Sequence, residues 1–323
     1  MSKIINWGIL GPGKIAKKFA LGLSYVPNAN LYAAASRSLE KAKDFSVEMG
    51  ADKAYGSYTE MLNDHKVDAI YIATPHVFHY EHTLLCLKHK KPVLCEKPFA
   101  MNKDQVKEMI DFAQKQDTFL MEAMWTHFLP HFKYTKEVIK SGKYGKVLAM
   151  EADFGFDAPF NANSRIYNKA LGGGSLLDIG IYPIFAALSF LGKPEKIEAT
   201  AKMTKTEVDA RCHATFFYPE NVKAELYSFV DKHTDVAATI KLEKAEIYIK
   251  PRFHQPSSVV ITTENDCFTK EFGVKANGYN FEAEHVGQML LEGKKESTEM
   301  SFDKSLELIE MLDKVREKIG LEY

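Results

Sequence analysis

The chain has 323 residues, of which 46% are hydrophobic and 26% are charged, and its formal net charge at pH 7 is −1. This composition is typical of a globular protein, and the length provides room for two domains or for one large domain. The near-neutral charge excludes the electrostatic footprint of a nucleic-acid-binding protein or of a protein held on an acidic membrane.

The first part of the chain predicts alternating strands and helices. Near-continuous apolar stretches predict strands at 4–10, 31–36, 67–75, 92–98 and 118–125. Strands of this kind, separated by helices, are typical of a parallel sheet that is covered on both faces. Residues that favour helix N-termini precede several of the predicted helices, and they are Ser38, Ser57 and Asn102.

From about position 125 onward, the predicted strands follow one another, and only turns separate the later ones. In the stretch 209–216 (DARCHATF) every second residue is apolar, and the stretch 222–227 alternates in the same way. Such alternation predicts an antiparallel sheet with one buried face and one face free to meet another surface. We therefore expect two domains, residues 1–123 and residues 124–323.

A glycine-rich turn lies between the first predicted strand and its helix. Gly11 and Gly13 form the pattern G-x-G-x-x-A, with Lys14 and Ile15 as the next residues of the turn. Gly11 permits a tight turn, and Gly13 lets the backbone approach a pyrophosphate at the N-terminus of the helix. Because the pattern stands in a strand–turn–helix unit, it predicts a dinucleotide-binding Rossmann domain.

The end of the second predicted strand indicates which dinucleotide is bound. Enzymes that use NAD place an acidic residue there to hold the ribose 2′-hydroxyl, whereas this chain has Ser36 and Arg37, with Lys41 one helical turn further on. A hydroxyl and two cations suit a 2′-phosphate. The alternative is that Arg37 is only a surface charge, but we predict NADP, with NAD the less favoured cofactor.

Two later strands end in residues suited to a reactive site. In a doubly wound sheet, ligands bind at the carboxyl ends of the strands, near the point where the strand order reverses. Thr74 and Pro75 end the strand expected next to the first one, and Glu96 and Lys97 end the strand after it. A charged turn at a strand end is ordinary by itself. At this position, however, we interpret Glu96 and Lys97 as part of a site on the nicotinamide side of the cofactor.

Five motifs in order give the chain a resemblance to a known family. The sequences GILGPGKIA, ATPHVFH, CEKPFA, MEAMWTHFLP and GGGSLLDIGIYP resemble those of the Gfo/Idh/MocA oxidoreductases, over nearly the whole length. The last three are most similar to the branch of the dimeric dihydrodiol dehydrogenases and the NADP-dependent D-xylose dehydrogenases. The resemblance implies an N-terminal Rossmann domain and a C-terminal α+β domain with a large, mainly antiparallel sheet that binds substrate and forms a homodimer.

The stretch 175–184 can be interpreted in two ways. Ser175 and Asp178 match an S-x-x-D capping box, in which case Asp178 is only structural. Tyr182 follows one turn later on the same face of an apolar helix, which suggests the wall of a pocket. The resemblance assigns Asp178 and Tyr182 to the active site, and Tyr182 is similar to the dihydrodiol and xylose branch.

The implied reaction is hydride transfer between NADP and a secondary alcohol or hemiacetal of a sugar or cyclic diol. Tyr182, with its pKa lowered by the Lys97 ammonium, could accept the substrate proton, and Lys97 is the rival candidate. Asp178 and His79 would orient the substrate or Lys97, and the resemblance places His79 beside the cofactor.

Further pocket residues are predicted with less support from the sequence. Trp125 and Phe154 suit an apolar wall that stacks on a ring, and Arg165 is a weaker candidate. His127 and His131 have the spacing of metal ligands, but no cysteine set or H-E-x-x-H motif accompanies them, so we predict no metal.

Two other functions remain open from the sequence. One is a non-catalytic NADP-binding regulator, and the other is an NADPH-dependent reductase of a carbonyl or enone. The cysteines are far apart and the N-terminus lacks a signal region, so we expect a cytoplasmic protein. The longest apolar stretch is expected to be too short to cross a bilayer.

Overall fold

The computed structural model describes residues 3–323, and over this range the chain divides into two compact units. The first unit runs through Trp125 and also contains Lys275–Leu306. The second unit consists of Thr126–Val274 and Glu307–Tyr323. The first break lies close to the predicted one. The return of a late segment to the first unit differs from the expectation that 124–323 is one piece.

The first unit contains, within the described residues, a six-stranded sheet whose neighbouring strands are all parallel. Its strands are β1 (Ile5–Leu10), β2 (Ala29–Ala35), β3 (Lys53–Tyr55), β4 (Ala69–Ile72), β5 (Val93–Glu96) and β6 (Leu120–Ala123). Their order is β3-β2-β1-β4-β5-β6, so the chain reverses direction across the sheet between β1 and β4. This confirms the predicted doubly wound sheet and places the carboxyl ends of β1 and β4 at the switch point.

Helices cover this sheet between its strands. They are α1 (Lys14–Leu23), α2 (Leu39–Met49), α3 (Tyr58–Leu62), α4 (His79–Lys88) and α5 (Lys103–Lys115). The predicted caps are present: Ser38, Ser57 and Asn102 each accept a hydrogen bond from the main-chain N–H three residues later, at 3.4, 3.1 and 2.9 Å. Local sequence therefore determines where these helices begin.

The second unit is built on a sheet of eight strands in the described part of the chain. Its strands are β7 (Val147–Gly155), β8 (Lys196–Met203), β9 (Asp209–Phe217), β10 (Lys223–Phe229), β11 (Ala238–Leu242), β12 (Glu246–Ile249), β13 (Val259–Thr262) and β14 (Cys267–Lys270). The order is β14-β13-β12-β11-β7-β10-β9-β8, and all neighbours are antiparallel except β7 and β10. Every second residue of β9 and β10 is buried, which confirms the predicted alternation.

Helices α6 (Pro130–Lys140) and α7 (Ile181–Leu191) belong to the second unit, and α7 packs on β7 and β10. A π-helical turn, Leu176–Gly180, leads directly into α7. The helical turns over Lys169–Leu191 together form a longer helical segment than the sequence predicted. By length and composition alone, this segment could cross a bilayer. In the structure 78% of an 18-residue apolar stretch within this segment is buried, as in the interior helix of a globular domain.

The remaining helices are α8 (Tyr279–Leu291) and α9 (Phe302–Ile319), and α8 explains why the late segment returns to the first unit. Helix α8 packs against α1 so closely that a Cβ atom on Gly22 would lie 2.7 Å from the Cβ atom of Tyr279. The chain after α8 then runs beside β6, where Leu120 N–H donates to Lys295 O at 3.3 Å. These contacts cover an edge of the first sheet, which would otherwise present unpaired main-chain groups.

Candidate active site

The glycine-rich turn between β1 and α1 has the geometry of a phosphate cradle. Gly11 has φ +91°, and its N–H donates to Ala35 O at 3.1 Å. Gly13 is the N-cap of α1, and a Cβ atom placed on it would meet no atom within 4 Å. The position of a side chain on Gly13, directly before the first turn of α1 at Lys14, is therefore open space. This arrangement fits a pyrophosphate, because helix N-termini attract anions.

The residues after β2 supply a hydroxyl and positive charge without an acid. Ser36 Oγ accepts a hydrogen bond from Ser38 N at 3.2 Å, which fixes the turn. Arg37 and Lys41 are exposed. Burial raises the pKa of Tyr58, and the positive charge of Arg37 opposes that rise. These groups fit a phosphate on the ribose better than a free ribose hydroxyl.

His79 connects the ends of β4 and β5. Its ring is 1% exposed, with Nδ1 2.8 Å from Pro98 O and Nε2 2.9 Å from Thr74 O. Burial lowers the pKa of His79 to about 3, so the ring is neutral and donates to one of these oxygens at a time. Both ring nitrogens are directed at main-chain atoms of the two turns. In this arrangement His79 holds the main chain at Thr74 and Pro98, and its place beside the cofactor stays a prediction.

Glu96 is held from inside the sheet. Its Oε1 accepts a short hydrogen bond from the Tyr71 hydroxyl, and its Oε2 accepts from Lys97 N at 3.2 Å. Burial and the Glu96 carboxylate raise the pKa of Tyr71 well above its usual range, so Tyr71 remains a donor. Glu96 is 5% exposed and Lys97 is half-buried at the end of β5. The charged turn is therefore anchored in the core.

Two further buried carboxyl groups lie near this turn, and the sequence did not reveal them. Glu122 on β6 is 2% exposed and accepts from Phe99 N at 3.1 Å; burial raises its pKa to about 7, with Glu96 adding to the rise and Lys97 opposing it. Glu282 on α8 is fully buried, and burial raises its pKa well above its usual range, with a further contribution from Glu96. A glutamate in an apolar strand was the only available signal for Glu122.

The second unit contains Asp178 and Tyr182 in one helical segment. Asp178 lies in the π-helical turn and forms an ion pair with Arg165, with 2.9 Å between Oδ2 and Nη2. The alternative interpretation, a Ser175–Asp178 capping box, is not what the structure has, because Ser175 makes no side-chain cap hydrogen bond. The Ser175 hydroxyl donates to Asp209 Oδ2 at 2.6 Å, so the acceptor at this terminus comes from β9.

An aromatic cluster surrounds Tyr182. The ring centroids of Phe154 and His254 lie 5.5 and 5.0 Å from that of Tyr182, and 4.3 Å from each other. Tyr182 and His254 are 5% and 6% exposed. Phe154 was predicted as part of a pocket wall, whereas His254 was missed because it lies in a loop without a motif. Trp125, the other predicted wall residue, belongs to the first unit and stacks on Tyr279 at 4.3 Å.

The histidines with metal-ligand spacing have other roles. His131 is 1% exposed, and its Nε2 lies 2.8 Å from Phe253 O. His127 packs edge-on against Phe128 and Phe185. Within residues 3–323, no group of three or more His, Cys, Asp or Glu side chains is placed to hold a metal ion.

Comparisons with known proteins cover both units. Residues 5–124 match the family model of an oxidoreductase family with an NAD-binding Rossmann fold, and residues 132–248 match the GFO/IDH/MocA C-terminal domain.

Similar sequences and structures extend over the full chain. The chain is 36% identical to trans-1,2-dihydrobenzene-1,2-diol dehydrogenase of Xenopus laevis, over 98% of this chain and 99% of the relative. It is 25% identical to a 3-ketoreductase from Actinomadura kijaniata solved with NADP and TDP-benzene, with a TM-score of 0.88 over 98% of each chain. An aldose-aldose oxidoreductase from Caulobacter crescentus, 23% identical with a TM-score of 0.89 over 98% of each chain, shares the fold.

Proposed function

Because the chain belongs to the Gfo/Idh/MocA family of oxidoreductases, we propose that it transfers hydride between NADP and a ring carbon that carries a hydroxyl group. Membership confirms the predicted family, the oxidoreductase class and the nicotinamide dinucleotide cofactor. The structural observation that carries the proposal is the open cradle at Gly13, which a Cβ atom would begin to fill. The cyclic diol as substrate class is supported by the relatives, which are named for a dihydrodiol, and the sugar by the motif resemblance to the D-xylose dehydrogenases.

The proposed preference for NADP over NAD rests on the turn after β2. Ser36, Arg37 and Lys41 present a hydroxyl and two cations where an NAD enzyme has an acid. When bound, the nicotinamide ring supplies or accepts the hydride. The chain's own residues then have to bind the phosphates, orient the substrate and move one proton, because oxidation of an alcohol to a carbonyl releases a hydride and a proton.

Lys97 in the first unit and Tyr182 in the second are our two candidates for the proton acceptor. Lys97 stands at the end of β5, next to the anchored Glu96 carboxylate. Tyr182 lies among the rings of Phe154 and His254, which offers an apolar surface to a substrate ring. Asp178, held by Arg165, is proposed to orient the substrate.

A substrate screen tests this proposal. The protein is incubated with NADP and either trans-dihydrodiols or aldoses, and NADPH absorbance is followed; Lys97→Met and Tyr182→Phe serve as inactive controls. We expect turnover that both substitutions abolish. The reverse arm uses NADPH with ketones and enones, and activity there alone would favour the reductase. NADP binding without turnover in either arm would favour the non-catalytic regulator.

We also propose a homodimer formed through the exposed face of the second sheet. On this face the rings of His213 and Tyr227 stack at 4.4 Å, and the ring of Phe229 lies parallel to Tyr227 at 6.2 Å. Half-exposed aromatic rings in a row on an open sheet are typical of a covered interface.

A cytoplasmic location remains part of the proposal. It is supported by the cysteines, all of which lie in the described range and are free thiols. Cys86, Cys95 and Cys212 are buried and Cys267 is exposed.

A further inference from the structure

Asp209, the first residue of β9, has no role in the proposed reaction and is fully buried. Its Oδ2 accepts hydrogen bonds from Ser175 Oγ at 2.6 Å, from Leu176 N at 2.8 Å and from Ser175 N at 3.1 Å. These donors belong to the segment that begins the π-helical turn. A single carboxylate oxygen from a strand 34 residues away in sequence therefore holds the start of that turn.

The glycine-rich segment 172–174 is shaped to admit this carboxylate. Gly174 has φ +114°, and a Cβ atom on it would collide with Asp209 Oδ1. On the other side, Ser228 Oγ lies 2.8 Å from Ser175 Oγ, and a Cβ atom on Gly180 would lie 2.9 Å from Ser228 Oγ. The backbone therefore approaches Asp209 and Ser228 more closely than any residue other than glycine would allow.

The held turn leads directly to the residues proposed to act on the substrate. Asp178 follows Leu176 by two residues inside the π-helical turn, and Tyr182 lies in the first turn of α7. A π-helical turn is a strained local geometry that frequently marks functional sites and needs support from its surroundings. The directions of the Asp178 and Tyr182 side chains depend on that geometry.

We infer that Asp209 is a positioning residue whose ionised carboxylate holds the π-helical turn in the conformation in which Asp178 and Tyr182 act. This inference rests on the proposed function of Asp178 and Tyr182. It assigns a charge requirement to a residue that does not touch substrate.

The charge state of Asp209 makes the inference testable by pH. Burial raises its pKa to about 6, and the hydrogen bonds from Ser175 and Leu176 oppose the rise. Because the pKa in the folded protein lies above the ordinary value, ionisation of Asp209 lowers stability as pH rises toward 6, and the loss persists above that pH.

The titration of Asp209 near pH 6 can be distinguished from that of the neighbouring groups. Cys212 on β9 and Tyr323 each have a pKa raised by burial, so both are neutral near pH 6. Arg316 on α9 lies over the Tyr323 ring, with its Cζ 5.6 Å from the ring centroid. Asp178 is paired with Arg165.

The first test replaces Asp209 by the isosteric amide. We expect Asp209→Asn to keep the melting temperature at pH 7.5, to lower kcat about 10- to 100-fold through misplacement of the acting residues, and to leave the Kd of NADP unchanged. In the parent protein we expect kcat to fall as pH drops below about 6, the pKa of Asp209, and we call this fall the acid limb. The acid limb should disappear in Asp209→Asn. Retention of kcat, or of the acid limb, would overturn the inference.

The second test changes the pKa of Asp209 without removing it. Ser175→Ala deletes a hydrogen bond that favours the ionised form, so the acid limb should move to higher pH. The matched control is Asp64→Asn, since Asp64 also accepts hydrogen bonds from main-chain and hydroxyl donors, and its pKa of about 2 lies far from the limb. Asp64→Asn should leave the limb in place, and an unshifted limb in Ser175→Ala would contradict the inference.

A third measurement separates this inference from the proposed function. Hydrogen exchange at the amides of Ser175 and Leu176, corrected for the intrinsic effect of pH, should accelerate in the parent protein below pH 6 and at all pH values in Asp209→Asn. It needs no substrate. If exchange behaves as expected but no substrate turns over, the proposed function fails and the Asp209 contact stands. If Tyr182→Phe impairs turnover and Asp209→Asn does not, only the inference fails.

Discussion

We expect Gly13→Ala to remove most of the affinity for NADP while leaving the stability of the fold unchanged, and Gly11→Ala to lower both. Gly13 has φ −132° and space for a Cβ atom. Alanine at this position stabilises the fold by about 1 kcal/mol because it restricts the unfolded chain. It also destabilises the fold by about 1 kcal/mol because it is a poorer N-cap residue, so the two effects nearly cancel. The added methyl group occupies the space of a pyrophosphate. Losing charge-assisted hydrogen bonds would cost about 1.5–3 kcal/mol, or roughly 10- to 150-fold in Kd.

Gly11 gives the opposite result for reasons of geometry. Its φ of +91° would strain an L residue by about 1–2 kcal/mol. A Cβ atom would also lie 2.6 Å from Thr74 Cγ2 and 3.0 Å from Thr74 N, and overpacking of this kind adds about 1–3 kcal/mol. Gly11→Ala should therefore lose about 2–5 kcal/mol of unfolding free energy by the sum of these terms.

The assay combines urea denaturation of the cofactor-free protein with fluorescence titration of NADP. Gly50→Ala is the matched control, because Gly50 has φ +76° with no neighbouring atom within 4 Å of a Cβ. Gly50→Ala should lose only about 1–2 kcal/mol of unfolding free energy, which comes from backbone strain at positive φ as at Gly11, and it should bind NADP with the parent Kd. If Gly13→Ala destabilises the free protein as much as Gly11→Ala, or binds NADP with the parent Kd, the assignment of the open space to a pyrophosphate is refuted.

Three other predictions follow from the proposed function. Arg37→Ala should weaken NADP far more than NAD in parallel titrations, because only NADP carries the 2′-phosphate; equal losses would count against the phosphate contact. Lys97→Met and Tyr182→Phe should each lower kcat by about 10² to 10⁴, and the double substitution should be little worse than either single one if they act as a unit. Additive losses would indicate independent roles. Tyr227→Glu should convert the proposed dimer to a monomer in light scattering. The control Tyr25→Glu, at an exposed tyrosine outside the second sheet, should leave the dimer intact. A parent protein that is already monomeric at micromolar concentration would contradict the dimer.

Local sequence patterns were sufficient for most of the first unit. The caps at Ser38 and Asn102 depend on residues three positions apart, and the structure has them as expected. The turn at Gly11 was predicted from the local glycine pattern, and Gly11 has the positive φ that such a turn requires. The order of β1 and β4 followed from the rules for parallel sheets, which need only the sequence of elements. Features set by short-range sterics are therefore accessible to sequence reasoning.

Features set by distant contacts were not accessible. The stretch Ser175–Asp178 satisfies the capping-box pattern, but the Ser175 hydroxyl and the main-chain donors of Ser175 and Leu176 bind Asp209 instead. The return of α8 to the first unit depends on its fit against Gly22, a contact across more than 250 residues. No local period encodes either contact.

Buried charge is the other property that the sequence could not show, and it bears directly on Lys97. Glu96 accepts hydrogen bonds from the Tyr71 hydroxyl and from Lys97 N, so both of its carboxylate oxygens have donors. Neither oxygen of Glu282 accepts a hydrogen bond from any residue in 3–323, and burial raises its pKa well above its usual range. Glu122, with a pKa of about 7, lies between these cases. Burial therefore raises the pKa of both Glu122 and Glu282, and it depends on which distant elements pack around each carboxyl group, which no local pattern in the sequence specifies.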